Sequence, residues 1–217
     1  MSAIYDIHTH ELPEVPGEAI VQLVPTDYRL QPGHFYSVSL HPWDIRDDWK
    51  VQMAKVAVQA MHPRVLAIGE TGFDKINSPM PIDVQMEVFR EHVRVSETLG
   101  KPLIVHCVKA VDELLAVRKE MGVAHPWVLH GYRGGPDQAE QLRKAGIYVS
   151  YGKHYNVDAV LDTPCKYLLL ESDTHGHVDE VYRLVSKDIE AEEGSLRRVV
   201  ALNILQFLKS HYEPSFE

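Results

Sequence analysis

Residues 65–70, VLAIGE, and 102–106, PLIVH, decide the fold, and 167–171, YLLLE, is a third stretch of the same kind. Each is a short apolar run, unbroken until it ends on an ionisable residue. A strand with one wet face alternates apolar and polar positions; an unbroken run marks a strand buried on both faces, as in a parallel sheet covered by helices. Working outward, comparable runs at Ala3–His8, Ala19–Val24, Phe35–Leu40, Trp127–His130 and Ile147–Ser150 join Val65–Glu70, Pro102–His106 and Tyr167–Glu171 to give eight strand candidates.

Amphipathic helices lie between several of them. Ile82, Met86, Phe89 and Val93 share a face after Pro81, and Val111, Leu114, Leu115 and Arg118 share another, with the Arg118 stem acting as an apolar group. Leu196, Val199, Val200, Asn203 and Phe207 form a stripe in the last helix, while Pro136 and Gly146 suit a helix start and stop. Alternating buried strands and helices predict an α/β fold, a compact TIM-type (β/α)₈ barrel. Its early βα connection is reduced, because Pro25–His34 is too short for a full helix. The 217 residues suffice for one domain and are short for two, so residues 1–217 read as a single barrel domain. The acidic stretch Asp188–Glu193 reads as a solvated loop.

Composition narrows the function. A net charge of -9 and a pI near 5.8 argue against gripping nucleic acid by bulk positive charge, though not against a local basic groove. No apolar run reaches membrane-span length, and Asp6, His8 and His10 so near the start argue against a secretory signal. Cys107 and Cys165 are too few for a disulfide framework, so the expected address is a reducing cytoplasm. The unusual number is 13 histidines, against 5 phenylalanines.

Their positions separate them. In a parallel barrel, chemistry gathers at the C-terminal ends of the strands. His34, His62 and His125 precede strands, and His92 and His211 lie in helices; these five read as structural. His8, His10, His41, His106, His130, His154, His175 and His177 follow or end strands, together with Glu70, Glu171 and Asp173. His8 and His10, two apart on a strand, project to one side. His106 and His130 bring imidazoles from elsewhere on the ring, Glu70 has two oxygens with which to bridge metals, and Asp173 can bind metal or accept a proton. Such a set can hold two divalent ions roughly 3.5–4 Å apart. A closed structural zinc site would favour four Cys/His ligands at close spacing, whereas these groups are spread over about 165 positions.

Five segments, DIHTH (6–10), SLHPWD (39–44), AIGETGFD (67–74), PLIVHC (102–107) and VLHGYRGG (128–135), are followed by ESD (171–173). In this order they resemble the TatD-type metal-dependent hydrolases, a family of amidohydrolase-type barrels associated with deoxyribonuclease activity. The resemblance implies one metal on His8, His10, Glu70 and Asp173 and a second on Glu70, His106 and His130. It implies phosphodiester hydrolysis by a two-metal-activated hydroxide, with Asp173 and Glu70 as the catalytic carboxylates and His41 shaping the site without being a primary ligand. The chain departs from the family at Val108 and Lys109, where an arginine is common, at Lys75, where an aromatic residue is common, and in THGHV (174–178) after ESD.

For an anionic substrate, Lys75, Lys109, Arg133, Lys153 and His154 are candidate contacts, each also readable as a solvated loop group. Tyr132, Tyr151 and Tyr155 are readable either as base-stacking groups or as packing under loops. His154, His175 and His177 are left for a third metal, a leaving-group proton or loop capping. The expected substrate is a phosphodiester or another small anion, with single-stranded DNA among the candidates; no membrane or protein partner is implied. The cofactor is two divalent ions, with zinc, manganese, iron, nickel and magnesium all open. Two other readings stand beside this one: a hydrolase of amides, esters or phosphomonoesters on the same site, and an inactive metal-binding sensor or scaffold.

Overall fold

The apolar runs pair side by side, all parallel and in chain order, in the computed structural model, which describes residues 3–209. They are β1 (Asp6–Thr9), β2 (Ala19–Leu23), β3 (Phe35–Val38), β4 (Val65–Asp74), β5 (Leu103–Val108), β6 (Trp127–Leu129), β7 (Ile147–Tyr151) and β8 (Leu169–Leu170). An isolated parallel bridge between Thr9 and Asp173 brings the end of the sheet back to its beginning. Asp173 N donates to His8 O (3.0 Å) and His10 N donates to Asp173 O (3.1 Å). The result is a nearly closed TIM-type barrel, as the sequence predicts.

Among the described residues, seven α-helices cover it: α1 (Trp49–Ala60), α2 (Ile82–Leu99), α3 (Val111–Met121), α4 (Pro136–Lys144), α5 (Val157–Asp162), α6 (Val178–Asp188) and α7 (Glu193–Leu208). Pro136 occupies the first turn of α4, and Gly146, at φ +75°, follows its end. The connection from β2 to β3 lacks a helix, as expected. So does that from β1 to β2, which holds Pro13, Pro16 and Gly17. The first of these loops is pinned: Tyr28 Oη donates to Gln59 O (2.9 Å), and Gln59 Nε2 donates to Pro25 O (3.1 Å).

The larger differences from the sequence reading are two strand boundaries and one helix face, each with a visible reason. β4 runs on to Asp74 because Thr71–Asp74 pairs with Val105–Val108. β8 is only Leu169–Leu170, since Cys165–Tyr167 coils into a 3₁₀ turn whose carbonyl at Cys165 accepts from Asn203 Nδ2 (2.7 Å). The buried face of α2 is Gln85, Val88, Phe89, His92, Val93 and Ser96, with Ile82 and Met86 half-buried beside it. Three polar residues, Gln85, His92 and Ser96, turn inward there because backbone groups need them. Gln85 Oε1 accepts from Asp74 N (2.8 Å), and its Nε2 donates to Asp74 O (3.2 Å).

Arg118 works through its head as well as its stem, donating to Ala145 O (3.1 Å) and His125 O (2.7 Å) and lying over the Trp127 ring. Of the histidines read as structural, His62 accepts from Arg64 N (3.1 Å), and His211 lies outside the described residues. His92 is fully buried; its Nδ1 donates to Val88 O (2.9 Å), and its Nε2 accepts from Leu40 N (3.0 Å). That bond fixes the backbone one residue before His41.

Burial pushes His92 down to about 4. The unfolded chain therefore takes up this proton first, near the ordinary histidine value of about 6.5. Stability from His92 is complete above that pH and falls as pH drops toward 4, by up to about 3 kcal/mol. His92→Gln keeps an acceptor for Leu40 N and removes the titration. Urea unfolding of this variant should show a smaller loss of stability between pH 7 and pH 4.5 than the parent protein shows; an unchanged pH profile would contradict the assignment.

Candidate metal centre at the mouth of the barrel

Parallel strands all end on one face, so side chains at their C-terminal ends converge there. Glu70 stands at the centre and is 3% exposed. Its backbone is held by a polar layer inside the barrel: Ser39 Oγ donates to Glu70 O (2.5 Å), and Glu70 N donates to Gln22 Oε1. Gln22 is itself fixed, accepting from Ser37 Oγ (3.0 Å) and donating to Ser39 Oγ (3.2 Å). Neither Gln22 nor Ser39 stands out in the sequence, since a polar residue inside an apolar run carries no mark of its partner.

The Glu70 carboxylate divides its neighbours. Oε1 lies 2.6 Å from His106 Nδ1 and 2.6 Å from His130 Nε2. Oε2 lies 3.2 Å from both His8 Nε2 and His10 Nε2. Asp173 Oδ1 joins the second side, 3.5 Å from His10 Nε2 and 3.8 Å from His8 Nε2. All six residues predicted as ligands thus meet in one cluster. Three overlapping sets, His8/His10/Glu70, His8/His130/Asp173 and His41/Glu70/His106, each bring their ligand atoms within 4.8 Å of one another.

Two observations show that a cation suits this cluster. Both ring nitrogens of His8 are buried without a hydrogen-bond partner, a cost that a coordinated ion removes from one of them. His106 and His130 each turn one nitrogen to Glu70 and the other to a further carboxylate. His106 Nε2 is 3.2 Å from Asp74 Oδ2, and His130 Nδ1 is 3.3 Å from Glu171 Oε1. A carboxylate behind an imidazole fixes its tautomer and strengthens it as a metal ligand.

The electrostatics agree. Burial works to raise the Glu70 carboxyl, but the imidazoles around it, His130 foremost, hold it well below the ordinary carboxylate range. Burial works to lower His130, yet the charges of Glu70 and Glu171 drive it well above the usual histidine value. Asp74 is pulled up by burial and held far lower by donation from Trp43 Nε1 (2.6 Å), Ile76 N (2.8 Å) and Asn77 N (2.8 Å). The cluster is an anionic pocket that demands positive charge.

The sequence reading gave Asp74 and Glu171 no role of their own. The signal for Asp74 was its spacing, since period two along β4 puts it on the side of Glu70. His41 lies beside the cluster, facing Glu70. Its Nδ1 accepts from Trp43 N (3.1 Å), so the proton of a neutral ring sits on Nε2, which faces Glu70 Oε1 at 3.3 Å.

The candidate substrate contacts divide. Arg133, Lys153 and His154 line one shallow pocket together with Glu171, Asp173 and His175. Lys153 also pairs with Glu180 (3.0 Å). Lys75 is tied to Glu113 (2.7 Å), and neither it nor the exposed Lys109 lines that pocket. Tyr132 and Tyr151 are buried, with hydroxyls donating to Gly135 O (2.8 Å) and Ala159 O (3.0 Å), and Tyr155 donates to Asp188 (2.5 Å). Each hydroxyl is thus committed to a partner within the chain, although Tyr132 also lines the pocket. His154 and His175 meet edge to face at 5.0 Å, and the backbone of His177 precedes α6.

Asp6 braces the site from below. It accepts from His8 N (3.1 Å), Ser172 N (3.1 Å) and Ser172 Oγ (2.6 Å), and burial pushes its carboxyl up to about 7 against these donors. Asp6→Ala strips partners from two backbone N–H groups beside His8 and Asp173. Urea unfolding should show a loss of about 2–4 kcal/mol; a loss below about 0.5 kcal/mol would contradict this bracing role.

Known proteins support the same reading. The family model described as TatD related DNase matches residues 19–193. The Bacillus subtilis protein named uncharacterized metal-dependent hydrolase YabD is 28% identical over 147 residues, covering 64% of this chain and 58% of the relative. The Escherichia coli K12 protein named uncharacterized metal-dependent hydrolase YcfH is 30% identical over 148 residues, with coverage of 64% and 55%. The chain spans just over half the length of these two relatives. Among solved structures, the TatD homologue YjjV of Escherichia coli superposes with a TM-score of 0.76 at 18% identity, over 95% of this chain and 97% of that one. A TatD family hydrolase from Entamoeba histolytica gives 0.75 at 12% identity, over 94% and 97%. With the family model spanning most of its length and the barrel shared, this chain belongs to the TatD-related DNase family.

Proposed function

We propose that this chain is a metal-dependent phosphodiesterase, with single-stranded DNA among its candidate substrates. The observation that carries the proposal is the division of the Glu70 carboxylate, one oxygen toward His8 and His10 and the other toward His106 and His130. Asp173, His8, His10 and Glu70 would hold one divalent ion, and Glu70, His106 and His130 a second, drawn from zinc, manganese, iron, nickel or magnesium. Bound there, such ions supply a nucleophilic water at neutral pH and polarise the electrophile's oxygens.

The chain's own groups do the rest. Asp173 has a 24% exposed side chain whose Oδ1 faces His8 and His10, so it can take a proton from an incoming water and pass it to solvent. Asp74 and Glu171 hold the rings of His106 and His130 in place. Arg133, Lys153 and His154, beside Asp173, offer donors to the oxygens of an anionic substrate. The nuclease reading rests on the family's description together with these cationic groups on an otherwise acidic protein.

Elemental analysis of purified protein should give close to two transition-metal equivalents, and bis(4-nitrophenyl) phosphate should be hydrolysed. Asp173→Asn should lower kcat about 10²- to 10⁴-fold with the circular dichroism spectrum unchanged. A metal-loaded protein that leaves phosphodiesters untouched while turning over amides, carboxylic esters or phosphomonoesters would replace this proposal with another hydrolase. One that hydrolyses none of them would replace it with a sensor or scaffold.

A further inference from the structure

Trp43 is 47% exposed at the mouth of the barrel, an unusual place for the largest side chain. It lies in the 3₁₀ turn Pro42–Asp44 that follows β3. Its indole Nε1 donates to Asp74 Oδ2 (2.6 Å), and its ring meets His41 at 4.9 Å and His106 at 5.8 Å, both edge to face. The turn beneath it is also tied down: Ser78 Oγ donates to Pro42 O (2.8 Å), and Arg46 Nη1 donates to Trp43 O (2.8 Å). The indole is therefore held in one orientation beside a proposed metal ligand, with nearly half its surface toward solvent.

The topology gives it a direction. Arg133, Lys153 and His175 follow β6, β7 and β8, whereas Trp43 follows β3. In a ring of eight strands, β3 and β7 stand opposite each other. Glu70 lies between the pocket that Arg133, Lys153 and His154 line on one side and the fixed indole on the other. A substrate spanning this mouth would carry negative charge at one end and a flat ring at the other, with its scissile group over the centre. Ile76 extends the apolar side: it is 64% exposed, and its N–H donates to the same Asp74 carboxylate (2.8 Å to Oδ1).

We propose that Trp43 is a stacking platform for a nucleobase flanking the scissile phosphate. The proposal rests on the phosphodiesterase reading of the same centre and narrows the substrate to a nucleotide chain. It also gives the stacking role to a residue other than the three tyrosines, whose hydroxyls are committed to partners within the chain. Trp43 does not touch the reacting atoms; it sets where the base lies.

The test compares Trp43→Leu and Trp43→Phe with the parent protein, all loaded with manganese, on the dinucleotide d(ApA) and on its analogue with one base removed. Trp43→Leu should raise KM for d(ApA) about tenfold and leave KM for at least one abasic isomer unchanged, while any change in kcat from losing the donor to Asp74 is shared by Trp43→Phe. Trp43→Phe should recover most of the lost affinity. A rise in KM of equal size on d(ApA) and on both abasic isomers would overturn the proposal, since Trp43 would then act only by steadying Asp74; an unchanged KM for d(ApA) would overturn it as well. If the parent protein cleaves no dinucleotide, the phosphodiesterase reading fails. Calorimetric binding of deoxyadenosine 5′-monophosphate against deoxyribose 5-phosphate then decides the platform separately. A preference for the nucleotide that is lost in Trp43→Leu supports it, and equal affinities overturn it.

Discussion

A buried carboxylate surrounded by imidazoles organises this molecule. Placing Glu70 in the barrel at 3% exposure is costly unless positive charge accompanies it. His8, His10, His106 and His130 crowd its two oxygens, and His41 faces one of them. Each further feature of the mouth answers a need that this arrangement creates. Gln22 and Ser39 fix the backbone of Glu70, Asp74 and Glu171 orient two of the rings, and Asp6 holds the strand end that carries His8.

The barrel makes such a cluster possible because it separates the work of folding from that of chemistry. The apolar runs stabilise the ring from both faces and place their last residues at one rim. Closure and function meet at Asp173. The backbone bonds that bring the sheet back to β1 are made by the residue whose carboxylate faces His8 and His10. The absence of helices from the first two connections leaves this rim intact, because the candidate ligands sit on the strands or within three residues of their ends.

The strands and the six-residue cluster were legible for a common reason. Unbroken apolar runs mark strands buried on both faces, and an ionisable residue ending such a run has few structural uses. What escaped the sequence depends on contacts between distant residues. Gln22 reads as a polar interruption until Glu70 N and Ser39 are seen beside it. Glu171 reads as a neighbour of Asp173, yet it serves His130, two strands away on the ring. Asp74 was obscured by the expectation that β4 stops at Glu70. Lys75 and Lys109 looked equivalent to Arg133 and Lys153, but only position around the ring separates them, and charge patterning carries no angle. Trp43 was quoted within a motif without a role, because exposure cannot be read from a Pro–Trp pair.

The central claim is that the two oxygens of Glu70 serve two separate cation sites. Anomalous diffraction from crystals of manganese- or zinc-loaded protein tests it most directly. The account predicts two anomalous peaks, one on each side of the Glu70 carboxylate, the first near His8, His10 and Asp173 and the second near His106 and His130. A single peak held by one Glu70 oxygen at saturating metal, or peaks lying away from Glu70, would contradict it.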